Sequence, residues 1–232
     1  MALRPDHDMP RQSPIVPIAL LGAFALVWVA LAIDPWYRAD WLVENLLVFV
    51  GVPGLVWAHR RLPFSNGAYG CLFAFLLLHQ LGAHYTYAEV PYDRWMQALS
   101  GRSLNQALGL DRNHYDRLVH FLYGLLITPA AVELLDARAP QTGAWRWWLP
   151  WFFVVSHATL FEVVEAAAAV AFGGELGEAY LGTQGDQWDS QKDSVLAALG
   201  AALAVIALRW QRHPRRAARR SMGGSTIRHQ HG

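Results

Sequence analysis

The chain has 232 residues, 54% of them hydrophobic, and a formal net charge of +1. With a positive mean hydropathy, this excludes an ordinary soluble domain as the expected class. Cys71 is the single cysteine, which excludes an intramolecular disulfide and any thiolate metal motif.

Six apolar windows follow in order: Pro14–Ile33, Trp41–Ala58, Gly67–Ala88, Asp116–Asp136, Trp147–Gly173 and Asp193–Trp210. Each is long enough, at about 1.5 Å of rise per residue, to cross a hydrocarbon core of about 30 Å. None alternates with the period of a strand. The expected fold is all-α, a polytopic membrane bundle of six transmembrane helices occupying residues 14–210. Residues 1–13 are expected to form a cytoplasmic N-terminal segment. The first window is too long for the apolar part of a cleaved signal peptide, and no A-x-A site follows it.

The second window carries Glu44 and Asn45 near its outward side, where they would line a mouth. The third carries His79 near its middle and His84 near its outward end. Between the third and fourth windows lies a long outward loop, Glu89–Tyr115, in which Trp95, Leu99 and then Leu104, Leu108 have helical spacing and fit a surface helix lying in the interface. The fourth window opens DRNHYDRLVHFLYG. Asp116, His120 and Tyr123 share one stripe of that helix. The fifth holds His157, Glu162 and Glu165, with both carboxylates able to face one cavity. Glu133, Asp136 and Arg138, at the inner end of the fourth window, are read as solvated. The loop GGELGEAYLGTQGDQWDSQK, from Gly173, is rich in glycine and acids and leads into Asp189 and Asp193. Gly200 and the alanines of DSVLAALGAALAVIAL read as a small-residue packing seam. A basic tail, 211–232, is expected to be cytoplasmic and without regular structure.

Thirteen of the nineteen basic residues fall on the side of the termini and the Arg60 and Arg138 turns. By the positive-inside rule both termini face the cytoplasm of a bacterial inner membrane. Nothing pairs the tail arginines with a recognition element, so nucleic acid is not an expected partner. The same topology gathers polar side chains beneath the outer surface. Charges at membrane depth cost several kcal/mol, on the order of 2.5–3.5 on insertion scales, and such residues face a bundle interior. The candidate catalytic set is Asp116, His120 and Glu165. The candidate metal ligands are His84, His120, Glu162, Glu165, Asp189 and Asp193, for a divalent metal such as zinc. Other readings stay open. Without metal, His120 accepts a proton while Asp116 orients it. Asp116 and Asp189 also suit helix capping, Ser190-x-x-Asp193 has capping-box spacing, and His79 and His157 suit neutral histidines bonded to neighbouring helices. Glu162 and Glu165 fit such an account least well, because two carboxylates one turn apart repel unless a proton, cation or metal intervenes.

HQLGAHYTYAEVPYD, GLDRNHYDRLVHFLYG, SHATLFEVVE and GTQGDQWDSQKDSVLAALGA together resemble the YjdF-type bacterial inner-membrane family, a group of unknown function, over most of the chain. More loosely, Asp116–His120, a later Glu and an Asp before a small-residue helix are similar to VanZ-like proteins. The departure is Glu162-x-x-Glu165 where that pattern has Glu-x-x-Gln. The looser resemblance implies an envelope-lipid connection. The expected function is a metal-assisted hydrolase or transferase on a lipid or lipid-linked substrate. The alternatives are proton- or ion-coupled transport through Glu162, Glu165 and His157, and a non-catalytic protein that binds envelope lipid or antibiotic. No P-loop, G-x-G-x-x-G or G-x-S-x-G is present to support nucleotide-driven or serine-hydrolase chemistry.

Overall fold

The computed structural model describes residues 13–174, 177 and 183–225, with Phe172 and 212–225 described by backbone alone. Among these residues the regular elements are helices, without strands. They are α1 (Ile15–Ala32), α2 (Arg38–Glu44), α3 (Leu46–His59), α4 (Asn66–Tyr85), a 3-10 turn (Tyr87–Glu89), α5 (Tyr92–Ser100), α6 (Leu104–Leu108), α7 (Tyr115–Arg138), α8 (Trp145–Phe172) and α9 (Asp189–Ser225).

Among the described residues, five stretches are long and apolar enough to cross a membrane: Ile15–Ala32, Arg38–His59, Tyr115–Arg138, Trp145–Ala171 and Asp189–Gln211. The remaining window is α4, 20 residues long. Its Tyr69, His79, Gln80 and His84 dilute the apolar character, and it turns His79 and Gln80 into the protein, where both are buried. A polar side chain at this depth is stable only where other protein groups satisfy it.

Three local findings change the reading of the sequence. The second window is not one continuous helix: α2 and α3 meet at Asn45, whose amide donates back to Trp41 O at 2.8 Å while Trp28 and Gln80 donate to its Oδ1. Glu133 and Asp136 are partnered rather than solvated. Glu133 accepts from Ser65 N at 2.7 Å and from Ser65 Oγ at 2.6 Å, which fixes the N-cap of α4, and Asp136 pairs with Arg146. The last helix continues past Trp210 to Ser225, into the basic stretch expected to lack regular structure, while 226–232 lie outside the described residues. The loop before α9 is described only in part, and the expected acids Glu175 and Glu178 fall outside it.

The segment between α4 and α7 forms two short helices where one surface helix is expected. Each ends on a glycine in the left-handed region, Gly101 at φ 71° and Gly109 at φ 64°, where a side chain would be strained. Leu99 and Leu108 stay exposed on α5 and α6.

The bundle is centred on α7, which packs against α4, α8 and α9. The α7–α9 crossing is the closest. A Cβ on Gly124 would overlap Ala197 O, and a Cβ on Gly200 would overlap Phe121 O, so each glycine makes room for the other helix's backbone. Ala197 and Ala201 are fully buried in the seam. Trp151 of α8 donates to Ala198 O at 2.9 Å and ties the third helix to the same crossing. By contrast α1 lies against α4, and α2 and α3 reach the bundle mainly through α2 on α4.

Candidate functional site

The seam fixes what lies one turn above it. The α7 stripe above Gly124 is Asp116, His120 and Tyr123, and the α9 positions above Ala197 are Asp193 and Asp189. α8 contributes Glu162 and Glu165. His120 is the common point. Its Nε2 lies 3.5 Å from Asp116 Oδ1 and 3.4 Å from Glu162 Oε1. Two overlapping groups, Asp116–His120–Asp193 and His120–Glu162–Glu165, each bring one ligand atom per residue within 4.8 Å of the others. Four carboxylates from three helices therefore surround one imidazole. Asp116 is not a helix cap, since α7 begins at Tyr115 and Asn113 Oδ1 accepts from the Tyr115 N–H. Ser190 and Asp193 lie inside α9, so the capping-box spacing is not used at its start.

The basic groups that approach this cluster are engaged elsewhere. Arg112 donates to Asp189 Oδ1 at 2.8 Å and to Thr183 O at 2.7 Å. Arg117 pairs with Asp186 and, at 3.2 Å, with Asp189. Lys192 completes the array on Asp186 at 2.5 Å. Gln184 and Asn113 add a reciprocal pair of hydrogen bonds at 3.1 and 3.0 Å. This ionic latch joins the entry of α7 to the entry of α9. Asp186, outside the apolar stretches, is held down to about 2 by the hydrogen bond from Lys192, the Trp188 N–H and Arg117. Asp93 in α5 is lowered by the Asn105 N–H, and burial lowers His114 at the start of α7.

Within the cluster, Glu162 Oε1 and Asp193 Oδ1 are buried and accept no hydrogen bond. A desolvated carboxylate oxygen without a donor costs free energy that a proton or a cation would recover. The donor set fits a divalent metal through one imidazole and carboxylates. That balance suits manganese or magnesium as well as zinc.

Beside the cluster lies a cavity of about 170 Å³. Its polar wall carries the carboxylates of Glu44, Asp116 and Glu165 and the imidazoles of His79, His120 and His157, with the hydroxyls of Tyr87 and Tyr123. Leu47, Val119 and Phe161 are among its apolar lining. His79 stands between α2 and the 3-10 turn, with Nε2 3.1 Å from Glu44 O and Nδ1 2.5 Å from Tyr87 OH. The Tyr87 ring lies against Gly82, where a Cβ would come within 2.7 Å of it. His157 stacks on Phe153 at 4.6 Å.

Of the residues expected to act together, Asp116, His120, Glu162, Glu165 and Asp193 meet. His84 does not join them. Its Nδ1 donates to Leu31 O of α1 at 2.8 Å, and its ring packs on Tyr85. Asp189 goes to the arginine latch, next to the cluster but outside both ligand groups. Glu44, expected only near a mouth, sits inside the cavity. Tyr87 and the latch arginines were not singled out by the sequence. The only signal for the latch is a charge-balanced run, DRNHYDR, and an acidic one, GDQWDSQKD, some 70 residues apart.

Residues 16–214 match the family described as predicted membrane protein DUF2238. The chain belongs to that family. It is also 34% identical over 187 residues to the inner membrane protein YjdF of Escherichia coli strain K12, covering 79% of this chain and 84% of that relative. Neither match is to a VanZ-like protein. No solved structure matches the chain.

Proposed function

We propose that this protein is a multi-pass inner-membrane enzyme, a metal-assisted hydrolase or transferase acting on a lipid or lipid-linked substrate. α4 serves as the sixth span beside the five more apolar ones. Both termini face the cytoplasm, and the His/Asp/Glu cluster lies beneath the outer surface. The name of the Escherichia coli relative supports the membrane, and the distribution of arginines supports the orientation. The observation that carries the chemical reading is the cluster itself: four carboxylates on one imidazole, two of their oxygens buried and unpartnered, opening on a cavity.

In this reading His120 Nε2 with Glu162 and Glu165 would hold the divalent cation, with Asp193 beside them. A bound metal of this kind would polarise a phosphoryl or acyl oxygen and acidify a bound water. Asp116, whose Oδ1 lies 3.5 Å from the same His120 Nε2, takes up the proton released into the cavity. The closed Gly124–Ala197 seam directly inward of the cluster favours this account over ion-coupled transport, which needs polar groups further along the path.

The test is metal analysis of purified protein before and after chelation, followed by re-addition of manganese, magnesium and zinc. One divalent ion per chain is expected in the wild type, with loss in His120→Ala. Absence of saturable binding of any of the three to the wild type overturns the reading.

A further inference from the structure

The cavity beside the cluster is too small to hold a whole lipid. At about 170 Å³ it lies below the roughly 300 Å³ at which sites begin to enclose a complete drug-sized ligand. It has room for a headgroup. Its lining is divided accordingly, with acids and imidazoles around His120 and an apolar side at Leu47 and Phe161.

The walls differ in how they are fastened. Above the cavity, Tyr87 is fixed by His79, and Thr86 donates to Asp40 at 2.5 Å. Asn113 donates to Val90 O at 2.8 Å, and the His114 N–H donates to Tyr92 OH at 3.0 Å. These bonds join α2, α4, the 3-10 turn, α5 and the entry of α7 into a roof. Sideways there is no equivalent. Glu44 and Leu47 stand on α2 and α3, while Ala158, Phe161 and Glu165 stand on α8. α2 and α3 are held through α4, and α8 is held by α7 and α9. Among the described residues no hydrogen bond or ion pair bridges α2 or α3 to α8 across the cavity. On α3 and α8, Leu46, Val50, Leu160 and Val164 are exposed apolar side chains.

We propose that the gap between α3 and α8 is a lateral portal. A phosphate-bearing membrane lipid slides its headgroup through it to the His120 cluster while its acyl chains stay in the bilayer against Leu47 and Phe161. This deepens the function proposed above and rests on it for one point: an anionic phosphate is tolerated beside Glu44, Asp116 and Glu165 because a cation stands between them. The route itself follows from the fastened roof, the unfastened side and the size of the cavity. Leu47 is its gatepost, since it lines the cavity and is 39% exposed on the lipid side.

The experiment uses protein reconstituted in phosphatidylethanolamine vesicles containing a phosphatidylglycerol with a photoreactive diazirine in the headgroup. Labelled peptides are mapped, and metal content is measured on the same samples. In the wild type the headgroup probe labels the α4 and α7 residues of the cavity, such as Tyr123, which lipid outside the bundle does not reach. Leu47→Trp lowers that labelling by about tenfold while metal content is unchanged, and Leu47→Ala preserves or raises it. Retained metal shows that the variants are folded at the site. Three results overturn the portal: no cavity label in metal-loaded wild type, undiminished label in Leu47→Trp, or equal label from a water-soluble diazirine glycerophosphate. If the wild type binds no metal but its cavity is labelled in a Leu47-dependent way, the catalytic reading fails and a cation is not what admits the phosphate, while the route through the gap stands.

Discussion

The two sides of this bundle are built on different principles. On one side α7 and α9 press backbone against backbone through Gly124, Gly200, Ala197 and Ala201, α8 packs beside them, and side chains of all three meet above the crossing as the His120 cluster. On the other side α1 and α3 carry glycines that touch nothing: Gly22, Gly51 and Gly54 have no atom within 4 Å of where a Cβ would stand. The lesson is a division of labour. The carboxylates and imidazole converge where backbone spacing leaves no freedom, and the proposed access lies on the side whose glycines face open space.

That contrast is breakable, most strongly at the glycines. Gly124→Leu drives a side chain into Ala197 O and should cost about 3 kcal/mol or more. Gly51→Leu, facing open space, should change stability by no more than about 0.5 kcal/mol. Unfolding temperature and monodispersity in detergent measure both, and equal losses would erase the distinction between the two sides.

A smaller effect sharpens the account of the cluster. Glu162→Gln neutralises one crowded carboxylate whose Oε1 accepts no hydrogen bond. It should stabilise the metal-free protein by about 1–2 kcal/mol and weaken metal binding by more than about tenfold. The two changes move in opposite directions, which a merely structural glutamate would not produce. Calorimetric metal titration alongside thermal unfolding reads both.

The smallest effect belongs to the latch. Asp186 has its pKa depressed from 3.8 to about 2 in the folded protein, so its contribution is complete above pH 3.8 and disappears as pH falls towards 2. Asp186→Asn should flatten the fall in unfolding temperature across that interval and leave the neutral-pH value of metal binding untouched.

Much of this was open to reading in the sequence, for physical reasons that differ by residue. The apolar windows follow from the thickness of the bilayer. The stripe Asp116–His120–Tyr123 and the nearness of Glu162 to Glu165 follow from helical periodicity. Gly200 was read as a packing seam on composition, and it is one. What escaped were the hydrogen bonds that tie single side chains to distant segments. His84 has the depth expected of a ligand but spends its Nδ1 on Leu31 O, a choice set by where α1 ends. Glu133 looked solvated because its partner, Ser65, is 68 residues away. The break at Asn45 carries no proline or glycine to announce it. It is stabilised by Trp28 and Gln80, which are 17 and 35 residues away from it.

The dependence of the cluster on α9 also sets an order of assembly. Asp193 leaves the ribosome some 75 residues after Asp116 and His120. Until α9 docks on Gly124, the acids of α7 and α8 have no completed enclosure, so a nascent chain halted before α9 should be short-lived and prone to proteolytic clearance.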